Sequence, residues 1–213
     1  MNITHEHPAY IEARSKIGLS RWNGAYYYSK EIARHFIPTI ETWRPWVTVQ
    51  AGELAVDHAI YFIHHNYNTT VYRHLAKYKD LVLVCGWPQT VQKVAHLGKA
   101  VYLPLSVDVE DVAQYRREKD RDICCAGRKE KITRAPRGTV EVTGLPRAEF
   151  LSELARYRKV YAMDRTAIEA KVLGCEVLPY HPWFPDPDFW RVIDSHDAAR
   201  MLQGLLDDID GRQ

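Results

Sequence analysis

Short apolar runs alternate with stretches of helical spacing along almost the whole chain. Lys16–Ser20, Trp46–Val49, Ala59–Ile63 and Asp80–Cys85 have the length and character of strands. The last is apolar at consecutive positions, as in a strand covered on both faces. Between them, Ala25–Phe36 places Tyr28, Ile32 and Phe36 four apart, which is one face of a helix, and Pro38 closes it. Val71–Tyr78 and Pro88–Leu97 also read as helices, the second stopped by Gly98. Ala100–Pro104 is a further strand. Val109–Asp122 is charged and reads as a helix linking two halves. The alternation then resumes, with strands at Asp122–Ala126, Thr139–Thr143, Lys159–Ala162 and Glu176–Pro179. Helices are expected at Pro146–Tyr157, from Thr166 onward to a glycine stop at Gly174, and over Ser195–Ile209. In the last, Ser195 can cap, and Ala198, Leu202, Leu205 and Ile209 form the apolar face.

Strand–helix alternation of this kind implies βαβ units and parallel sheets. The expected fold is α/β: two small Rossmann-like domains, residues 1–108 and 109–213, with parallel sheets facing a cleft. A chain of 213 residues has room for two such small cores. No apolar run reaches the roughly 18–20 residues a membrane span needs. The first residues also lack the basic-then-apolar order of a secretory leader. Cys85, Cys124, Cys125 and Cys175 have no Cys-x-x-Cys spacing, so no zinc or other metal site is expected. Thiols in apolar surroundings fit a reducing, cytoplasmic compartment.

The turn Asp164-Arg165-Thr166 puts a cation and a hydroxyl where a helix begins. Free backbone N–H groups and the helix dipole favour an anion there. Glu169 falls one turn further in, suited to ribose hydroxyls. The competing reading is a capping box, Thr166-x-x-Glu169, which satisfies backbone N–H groups and binds nothing.

Three local patterns bear on a known architecture. The first is Arg21-Trp-Asn-Gly24 followed by Ser29–Ala33. The second is Leu103-Pro-Leu-Ser-Val-Asp108 before a charged segment. The third is Ala126-Gly-Arg-Lys129 with Arg165–Ala170 and Leu173–Val177. With the order of elements, they make the chain resemble a two-Rossmann-domain (GT-B type) glycosyltransferase in an unusually short form. The family's paired carboxylates are here the single Glu169, and its paired glycines the single Gly24. The resemblance implies a nucleotide-sugar donor as co-substrate, no other cofactor and no obligatory metal. The N-terminal domain would take the acceptor and the C-terminal domain the donor.

Transfer of a sugar needs the charge building on the leaving diphosphate to be neutralised and the acceptor hydroxyl to lose a proton. Arg128, Lys129, Arg165, Thr166 and Glu169 are the donor-binding candidates. His64 and His65 follow an apolar strand and are the candidate bases; strand alternation lets at most one face the cleft. Asn23, Gly24 and Trp87 lie in loops after strands and are expected near the cleft. Residues 116–137 carry nine basic and four acidic side chains in a chain of net charge +2. That run reads as a solvated helix face or as a patch for a polyanion. The acceptor is unidentified, and nucleic acid is one option for it. The reading from a different class is a non-catalytic domain that binds a nucleotide or nucleic acid.

Overall fold

A computed structural model describes residues 31, 46–48, 60–63, 73, 75–127, 136, 138–180, 185–209 and 211. It is an α/β protein with parallel sheets. Its contacts divide the chain into two compact units, Met1–Pro104 with Ser195–Gln213, and Leu105–Asp194. The expected halves, 1–108 and 109–213, differ from this chiefly at the C-terminus, which returns to the first unit. The expected first strand, Lys16–Ser20, lies outside the described residues.

In the first unit β1 (Trp46–Thr48), β2 (Ile60–Ile63), β3 (Val82–Cys85) and β4 (Lys99–Tyr102) form a parallel sheet in that order. β3 is fully buried, as its unbroken apolar run requires. Helix α1 (Pro88–Val94) follows, with proline in its first turn, where a missing N–H costs nothing. Gly98 is not its stop. The helix ends four residues earlier, and Gly98 is absent from the glycines with positive φ. A Cβ on Gly98 would lie 2.5 Å from the carbonyl oxygen of Leu81. Glycine is therefore needed for close backbone approach. Across this contact Lys99 N–H donates to Leu81 O at 2.8 Å.

Two residues on the returning C-terminal helix tie it to this unit. The Ser195 hydroxyl donates to Glu31 Oε2 at 3.3 Å, and both residues are buried. Lys99 Nζ donates to Ile209 O at 2.9 Å, a cation on the carbonyl end of a helix. The buried face of this helix is Ser195, Ala198, Ala199, Leu202 and Leu206, while the expected Leu205 and Ile209 are only half-buried. None of the described helices is long and apolar enough to cross a membrane.

The second unit holds β5 (Arg121–Ala126), β6 (Val140–Val142), β7 (Tyr157–Tyr161) and β8 (Glu176–Leu178). All pairings are parallel, in the order β6-β5-β7-β8. Helix α2 (Val109–Ala113) precedes β5, α3 (Arg147–Leu154) precedes β7, and α4 (Asp164–Val172) precedes β8. The C-terminal helix, Ser195–Ile209, is α5.

The long charged helix expected over 109–122 is a single short helix ending at Ala113. The next residues are used for reach. Arg116 Nε donates to Val172 O at 2.5 Å. Lys119 Nζ donates to Ala155 O and Leu173 O, each at 2.8 Å, and lies 3.3 Å from Cys175 Sγ. These carbonyls end α3 and α4, so two cations finish both helices. Arg121 contacts Glu153 and donates to the Tyr157 hydroxyl at 2.8 Å. Part of the basic run is thus built into this unit rather than spread over a solvated helix face. Residues 128–135 and Arg137 of that run lie outside the described residues.

Candidate functional site

The strand order of the second unit marks one sheet edge as the candidate site. β6 lies on one side of β5 and β7 on the other, so the chain reverses direction across the sheet between β5 and β7. Open α/β sheets bind ligands outside the carboxyl ends of the strands at such a reversal. Because every pairing is parallel, the ends of β5, β6 and β7 share one edge. β5 ends at Ala126, β6 leads through Gly144 and Pro146 into Arg147, and β7 leads through Met163 into Asp164. The described strands of the first unit run β1-β2-β3-β4 without a reversal.

At this edge α4 begins in an uncommon way. Asp164 has φ of 55°, in the left-handed region that few residues other than glycine adopt, aspartate and asparagine among them. The preceding Met163 occupies the cap position and has no oxygen with which to cap. The helix starts two residues before Thr166, which is therefore inside the first turn and not at the cap. The capping-box alternative fails on that register, and its second half fails on the partners of Glu169. Thr166 is half-buried.

Glu169 faces inward and accepts two arginines on one oxygen. Arg147 Nη1 donates to Oε1 at 2.7 Å and Arg165 Nε donates to the same atom at 3.3 Å. The side chains of Arg165 and Glu169 are 5% and 4% exposed, and that of Arg147 is 23% exposed. Burial alone would raise the Glu169 carboxyl, but the two guanidinium groups outweigh it and hold it below the usual range. Arg165, a donor-binding candidate on its sequence, is buried and ion-paired with Glu169.

The chain matches no protein-family model, no curated protein and no solved structure.

Among the other expected site residues, Trp87 does follow β3, but it is buried at 5% exposure. His64, His65, Arg128, Lys129, Asn23 and Gly24 lie outside the described residues. Among the described residues no three His, Cys, Asp or Glu side chains converge as a metal site would require. All four cysteines are buried free thiols. Burial pushes Cys85 up to about 12 and Cys125 up to about 11, which makes them neutral packing groups. Sequence reasoning missed Arg147. The signal was present: Arg147 opens a helix after a strand, much as Arg165 stands in the first turn of the next, and Pro146 marks the start.

Proposed function

We propose that this chain is a nucleotide-sugar-dependent glycosyltransferase that needs no metal and binds its donor in the second unit. The observation that carries this reading is the reversal of strand order between β5 and β7, with α4 opening at the carboxyl end of β7. A diphosphate there would meet the first-turn N–H groups and the Thr166 hydroxyl. Arg128 and Lys129, which follow β5 in sequence, would supply further positive charge. His64 or His65, which follow β2, would take the acceptor proton. The two units would correspond to the two Rossmann-like halves of a GT-B enzyme.

A thermal-shift screen of UDP, GDP, ADP and CDP sugars tests the reading. Stabilisation by about 2.7 kcal/mol is expected at a ligand concentration 100 times Kd. Sugar transfer or hydrolysis of the stabilising donor must accompany it. No response to any member of the panel would sink the proposal. The pairing of Glu169 with Arg165 favours one second reading, a domain that binds a nucleotide without reacting it. Stabilisation without turnover would select that reading. Duplex DNA binding that weakens steeply with salt would instead identify a nucleic-acid partner.

A further inference from the structure

We draw no further inference here: the strongest candidate, the pair of Cys175 Sγ and Lys119 Nζ 3.3 Å apart beside the C-terminal ends of α3 and α4, rests on a single buried thiol in a hydrogen bond, and among the described residues no second observation points to a group that would react with it.

Discussion

At its C-terminal end α4 is finished entirely by the chain's own groups. Gly174, with φ of 79°, lets its N–H reach Lys171 O while Cys175 N–H reaches Ala170 O, each at 2.9 Å. That pair of bonds is a Schellman stop. Arg116 and Lys119 then take the carbonyls of Val172 and Leu173. At its N-terminal end the same helix has a methionine in the cap position, a left-handed aspartate and a buried arginine. One end uses the residues that stabilise helices most cheaply. The other keeps strain and buried charge, which folds tolerate mainly where a ligand is handled. Within nine residues the helix passes from the end at the candidate site to an end closed by the chain itself.

The largest expected effect lies at the N-terminal end. Glu169→Gln leaves a buried arginine without its counter-charge and should cost about 3 kcal/mol in urea unfolding at pH 7. Because the folded-state pKa of Glu169 is depressed, its contribution is present above the ordinary carboxyl value of about 4.3. That contribution disappears as pH falls through the depressed value. The gap between parent and variant should therefore close on acidification, and a pH-independent gap would refute the charge argument.

Next comes the C-terminal end. Lys119→Met keeps the stem and removes the donor to two helix-ending carbonyls, which should cost about 2 kcal/mol by the same measurement. A loss below about 0.5 kcal/mol would mean that water replaces the ammonium without penalty. Gly174→Ala meets no atom within 4 Å, so only the left-handed backbone opposes it. The expected cost is about 1 kcal/mol, read as a shift in urea midpoint with unchanged slope. Smallest of all is Thr166→Ala. A true cap would lose about 1 kcal/mol, whereas a first-turn threonine should stay within about 0.5 kcal/mol of the parent. A melting curve distinguishes the two.

The described strands were largely legible, because buried parallel strands announce themselves as apolar runs; Val82–Cys85 and Arg121–Ala126 fall within two residues of expectation. Helix α5 was legible to the residue. Its membership of the first unit was not, since the anchors Glu31 and Lys99 are distant in sequence. The charged segment after Val109 misled because helix propensity is a weak prior, and Arg116 and Lys119 are drawn out to carbonyls over 50 positions away. At the candidate site, the turn after Tyr161 and the glycine stop were readable. The register was not: a left-handed Asp164 starts the helix early, and no local pattern announces it. Arg147 lies 22 positions from Glu169, beyond any helical spacing rule.

The contact between Gly98 and Leu81 also works as a filter on ancestry. With a methyl group 2.5 Å from a carbonyl oxygen ruled out, only hydrogen fits at that point unless β4 moves away from β3. A lineage carrying this strand pairing could exchange its apolar letters one for another and drift far in overall likeness. One letter it could not exchange while keeping that pairing would be the glycine on the threshold of β4, and a search for kin could begin there.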